Sequence, residues 1–68
     1  MEDIKAKVGA LIREARKQKG LTQKELGEIL GLSQSTIGEY EGGKQNLTIE
    51  TLDKISAALG GAIFIDRK

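Results

Sequence analysis

Two glycines, Gly27 and Gly31, restrict what this chain can fold into more than any other feature. They stand in an apolar frame of Leu26, Leu30, Leu32, Ile37 and Tyr40. Two short helices that cross at a steep angle need a small residue where they touch, and Gly27 supplies it. The tight turn between them needs a residue tolerant of positive φ, and Gly31 supplies that. A generic pair of packed helices would not need glycine at both places. Capping signals bracket the unit. Thr22 with Glu25 forms a capping box at the start of its first helix. Ser33 is the N-cap of the second, which runs to about Tyr40 or Glu41 with Ile37 and Tyr40 facing inward.

The flanking sequence extends the helical pattern. A first helix is predicted from about Asp3 or Ile4 to Lys19, with Val8, Ile12 and Ala15 on one face and Arg13, Arg16 and Lys17 mostly off it. Gly20 ends it and Leu21 folds back onto it. In the helix opened by Thr22, Leu26, Ile29 and Leu30 supply the apolar stripe. After the loop Gly42-Gly43-Lys44-Gln45-Asn46, Thr48 caps a fourth helix whose Leu52, Ile55 and Leu59 repeat at helical spacing, and Gly60 stops it. The last segment differs in kind. Ile63, Phe64 and Ile65 follow two glycines and read as a short strand. A lone strand in a helical chain lacks a ladder partner, and pairing with the same strand of a second copy across a two-fold axis is the economical solution. The other solution is an apolar tail packed on its own helices. The expected architecture is all-α, four helices with a short C-terminal β-strand: residues 1–60 as the helical domain and 61–68 as a dimerisation segment.

Composition narrows the function classes. The chain has 68 residues, enough for one domain with a limited core, and neither cysteine nor histidine is present. Disulfides and the usual zinc sites are therefore excluded, and no metal or other cofactor is expected. Catalysis is not expected either, because no histidine or cysteine is available and the carboxylates are spread over helix surfaces. No apolar run approaches the roughly 20 residues of a membrane helix. The acidic Met1-Glu2-Asp3 start does not read as a signal peptide, so a cytoplasmic location is expected. The net charge of +1 conceals an asymmetry. Residues 1–24 hold seven Lys and Arg against three Asp and Glu, and residues 25–68 hold four against seven. A basic segment carries phosphate contacts well, but a solvated helix face has the same composition.

The stretches "IREARKQKGLTQKELGEILGLSQSTIGEYEGGK" and "TIETLDKISAALG" make the chain similar to the Cro and phage-repressor (XRE-type) helix-turn-helix family over roughly residues 5–60. The resemblance implies a lambda-repressor-like bundle whose third helix enters the major groove of double-stranded DNA. It also implies two cooperating glutamines: Gln23 on a phosphate and braced against Gln34, and Gln34 on adenine. The chemistry suits the role, since a carboxamide matches adenine N6 and N7 with a donor and an acceptor side by side. Lys24 and Ser33 are counted with them as DNA contacts. By the same resemblance Lys44, with Gly42 and Gly43, holds a phosphate, and Arg16 with Glu41 forms a structural ion pair.

Other residues of the third helix are read from their chemistry. Ser35 donates to or accepts from several bases, and Thr36 suits a phosphate or a thymine methyl. Glu39 departs from the family pattern. Its carboxylate either accepts from cytosine N4 or points away as a specificity filter. Gly38, in mid-helix at about 1 kcal/mol below alanine in propensity, serves either close approach to DNA or close packing. The expected function is transcriptional regulation, as a repressor, by a homodimer on an inverted-repeat operator. The alternative is an antitoxin or adaptor that binds a protein partner such as a toxin.

Overall fold

A computed structural model describes residues 3–61. They form α1 (Ile4–Gln18), α2 (Gln23–Leu30), α3 (Gln34–Glu41) and α4 (Ile49–Ala58). The strand expected at Ile63–Ile65 lies outside the described residues.

Each helix starts and stops by side-chain and backbone chemistry legible in the sequence. Asp3, Thr22, Ser33 and Thr48 are the N-caps, each accepting a hydrogen bond from a backbone amide two or three residues on. At α2 the capping box is complete: the Thr22 hydroxyl accepts from the Glu25 amide at 3.0 Å, and the Thr22 amide donates to Glu25 Oε1 at 2.8 Å. That backbone amide, with a smaller contribution from the Thr22 hydroxyl, holds the Glu25 carboxyl below the usual carboxylate range. All four helices close with the same backbone device. A left-handed glycine follows the last turn, and the next amide reaches back to a carbonyl five residues earlier, as in Leu32 N to Gly27 O at 2.8 Å.

The core is small and apolar. Ile12, Leu26, Ile37 and Ile55 are fully buried, Leu59 and Ala15 nearly so, and Val8, Leu21, Leu30, Leu32, Tyr40, Leu47 and Leu52 close around them. Every helix thus contributes to one cluster. One expectation is corrected. Ile29 is 57% exposed, because the stripe of α2 that α3 and α4 cover runs along Leu26 and Leu30. Arg16 is buried, although apolar periodicity places it off the inner face of α1.

Glycine lets backbones meet at two tight contacts. A Cβ on Gly27 would stand 2.5 Å from the Leu32 carbonyl oxygen, so glycine is needed against the turn that leads into α3 and not against the helix itself. A Cβ on Gly9 would stand 2.5 Å from the carbonyl oxygens of both Tyr40 and Glu41, so α1 receives the end of α3 backbone to backbone. Neither neighbour is a side chain that could move aside. Gly9→Ala should therefore destabilise the domain by about 1–3 kcal/mol despite alanine's better helix propensity, as overpacking does. Urea denaturation followed by circular dichroism checks this, and a variant as stable as the parent would contradict the backbone contact.

Candidate nucleic-acid interface

The site is built around the C-terminal end of α3. Glu41 is almost completely buried there, its side chain 4% exposed. Its Oε2 accepts from Arg16 Nε at 2.6 Å and its Oε1 from Arg16 Nη2 at 3.1 Å, a two-pronged pair that joins α3 to α1. The third guanidinium nitrogen, Nη1, donates to the Leu21 carbonyl at 2.7 Å in the link between α1 and α2. One arginine of α1 therefore holds both the link that follows its own helix and the distant end of α3.

Glu41 also accepts, at Oε1, from Gln23 Nε2 at 3.2 Å. Gln23 is the first residue of α2, so the capping box that places this residue also places its amide. A carboxylate only accepts, hence the nitrogen end of the amide must face it. The second N–H of Gln23 stays available for an external acceptor. The brace from Gln23 to Gln34 that the resemblance implies is not made in the free chain, where the Gln23 amide is engaged with Glu41 instead.

Beside this network lies a recess of about 260 Å³ lined by Arg13, Arg16, Gln23, Gly38, Glu41 and Gly42. Gly38 forms part of it because it carries no side chain. A Cβ there would meet the Gln23 amide at 3.6–3.9 Å, ordinary van der Waals distance, so packing does not demand glycine. Arg13, exposed and one turn before Arg16, borders the same recess. Sequence reasoning passed it over as one cation among several. Its spacing of three residues from Arg16 on a helix was the available signal.

The exposed side of α3 carries Gln34, Ser35 and Glu39. With Gly38, they fall on one face at helical spacing. The hydroxyls of Ser33 and Thr36 turn to each other at 2.9 Å, and Ser33 Oγ accepts from the Thr36 amide at 3.1 Å, so both are engaged in the cap. Glu39 accepts a hydrogen bond from Gln45 Nε2 in the following loop. Lys24 and Lys44 are exposed at the start of α2 and just beyond α3. The Lys44 amide donates to the Glu39 carbonyl at 2.9 Å, so backbone bonding that closes α3 fixes the position of this residue. The structure thus gathers Gln23, Arg16 and Glu41 into one network. Gln34, Ser35 and Glu39 form an open face, and Ile63, Phe64 and Ile65 lie outside the described residues.

A buried pair of this kind is costly to break from one side, because the survivor keeps its charge without a partner. Glu41→Ala should lose about 3–5 kcal/mol, most of the stability a domain of this size has. The double variant Arg16→Met, Glu41→Leu should lose less than that single variant. Thermal melts of both settle the point, and a double variant at least as damaged as Glu41→Ala would contradict the account.

A helix-turn-helix family model matches residues 12–63. The chain is 38% identical over 58 residues, 85% of its own length and 75% of the relative's, to y4dJ of Sinorhizobium fredii, an uncharacterized HTH-type transcriptional regulator. It is 36% identical over 61 residues, 88% of this chain and 82% of the other, to the control protein C.MunI of Mycoplasma sp. Among solved structures it resembles the restriction-modification controller protein C.AhdI from Aeromonas hydrophila, with a TM-score of 0.76 and 36% identity over 81% of this chain and 80% of that one.

Proposed function

The chain belongs to the helix-turn-helix family of transcriptional regulators, and from that premise we propose that it represses transcription as a homodimer on an inverted-repeat operator. It is a DNA-binding regulator and not an enzyme. The observation that carries the finer reading is the exposed polar face of α3, with Gln34 and Ser35 at its N-terminal end. In this reading α3 enters the major groove and Gln34 reads adenine through its amide. Ser35 contacts a neighbouring base, and Ser33 and Thr36 contribute through their hydroxyls. Gln23, Lys24, Lys44 and the newly noted Arg13 hold phosphates on either side. The second N–H of Gln23, left free by Glu41, is the donor such a phosphate needs.

Dimerisation falls to Ile63, Phe64 and Ile65 in this proposal, paired across a two-fold axis, with the two copies of α3 about 34 Å apart in successive major grooves. A cytoplasmic location follows from the DNA target, and among the described residues no helix is long and apolar enough to cross a membrane. An adaptor that holds a protein partner would be favoured by acidic residues on the α3 surface, where Glu39 and Glu41 are the candidates. Glu41 no longer counts toward it, since its charge is spent on Arg16. Glu39 alone remains.

Selection of bound sequences from a random duplex pool tests the proposal. Enrichment of a two-fold symmetric site is expected, and no enrichment would overturn it in favour of a protein partner. Substituting Ile63 and Ile65 by lysine should give monomers with weaker operator binding, and an intact dimer in sedimentation would exclude the strand as the interface. On the selected duplex the two kinds of contact should separate. Gln34→Ala should relax base preference at one position and cost about 1–3 kcal/mol, whereas Arg13→Ala should weaken all duplexes alike and reduce the salt slope by about 1. Titrations at several salt concentrations distinguish these outcomes.

A further inference from the structure

We infer that Glu39 reads a cytosine in the operator and that Gln45 is the residue that orients its carboxylate for this contact. The inference rests on α3 being the element that enters the major groove.

Glu39 shares the exposed face of α3 with Gln34 and Ser35, and Gly38 between them adds no side chain to screen it. A carboxylate on such a face would ordinarily sample several rotamers. Here Gln45 Nε2 donates to Glu39 Oε1 across the turn that ends α3, which ties the side chain to the loop. The loop is itself anchored. The Lys44 amide donates to the Glu39 carbonyl, and Gly43 packs so closely on α1 that a Cβ would stand 2.9 Å from the Ala6 backbone. The backbone from which Gln45 reaches is thus held in place, and its amide favours one orientation of the Glu39 carboxylate.

Gln45 does not neutralise the group. A neutral amide occupies one of about four acceptor positions on a carboxylate and leaves the charge in place. Among the described residues Glu39 makes no ion pair with a lysine or arginine. Brought into a groove lined by phosphates, such a charge is costly unless a donor meets it. Only cytosine N4 and adenine N6 donate in the major groove. Beside adenine N6 stands N7, an acceptor that a carboxylate repels. Guanine offers N7 and O6, both acceptors, and thymine an acceptor and a methyl group. Cytosine is the one base whose own edge presents a donor with no adjacent acceptor. A fixed carboxylate in this position therefore selects cytosine and rejects the other three. Gln34 on adenine and Glu39 on cytosine would read different parts of one half-site, since they stand about one and a half turns apart along the exposed side of α3.

The test is the random-pool selection repeated with Glu39→Gln, Glu39→Ala and Gln45→Ala, followed by titration of duplexes altered at one position at fixed salt. Glu39 and Gln45 are both exposed, and matching thermal melts establish that the variants are folded. The wild type should enrich a site with a fixed cytosine in each half. Glu39→Gln should move the preference at that position alone toward adenine, and Glu39→Ala should abolish it. Gln45→Ala should keep the cytosine with discrimination reduced severalfold from a wild-type value on the order of tenfold or more. An unchanged selected site with Glu39→Gln and Glu39→Ala overturns the inference. So does a Glu39→Ala protein that binds all duplexes more tightly by the same factor, which would make Glu39 a repulsive filter. Equal discrimination by Gln45→Ala and wild type overturns the orienting role. A wild type that enriches nothing removes the operator reading as well, so the two failures are told apart.

Discussion

The buried contact between Arg16 and Glu41 is the interaction on which the rest of this domain depends. Neither partner lies in the apolar cluster, yet the pair decides how the helices around that cluster are oriented. Arg16 spends its guanidinium on the end of α3 and on the Leu21 carbonyl at the start of the turn into α2. Glu41 Oε1 accepts from Gln23, the residue that opens α2, as well as from Arg16. The relative placement of α2 and α3, on which any groove-binding use of α3 depends, is thus referred back to α1. Arginine suits this task better than lysine would, because its planar donors reach two acceptors in fixed directions at once.

Such an arrangement suits a chain with little core. Six residues make up the buried apolar cluster, and α2 and α3 have eight residues each, too short to be stable as isolated helices. Their ends are therefore fixed individually: a hydroxyl cap at each start and a left-handed glycine after each last turn. With termini satisfied, burial of Leu26 and Ile37 suffices to hold the pair in place. Gly38 can then sit in mid-helix at its intrinsic cost, because α3 is held at both ends and along its inner side.

Much of this was legible because caps and turns are local. Thr22, Ser33 and Thr48 announce the helix starts, and Gly27 and Gly31 announce the crossing and the turn, from a few neighbouring residues each. What escaped the sequence was set by distant partners. Gly9 looks like a mere propensity defect in α1 until the carbonyls of Tyr40 and Glu41 are seen against it. Ile29 follows the helical repeat as well as Leu30 does, and only the positions of α3 and α4 decide which of them is covered. Arg16 off the apolar face reads as solvated, and its burial follows from a carboxylate 25 residues later. The resemblance supplied that pair where periodicity could not. It also suggested a Gln23–Gln34 brace, whereas the free chain places the Gln23 amide on Glu41.

The same network changes how the charge of the domain should be read. The basic excess of residues 1–24 includes Arg16, but that cation is largely buried and its charge is paired with Glu41. The acidic excess of residues 25–68 likewise includes Glu41, which repels nothing outside. Removing both leaves a weakly basic surface near the start of α2, supplied by Arg13 and Lys24, with Lys44 beyond α3 and the uncompensated Glu39 on the face between. On the proposed reading few cations meet the duplex, which implies few released counterions and a shallow dependence on salt. Non-specific attraction to the duplex is then small on that reading, and affinity for a chosen site would come from base contacts multiplied by a second subunit. If α3 reads bases as proposed, an acidic residue on its exposed face is tolerable, because it would subtract from every site except the one whose donor it meets.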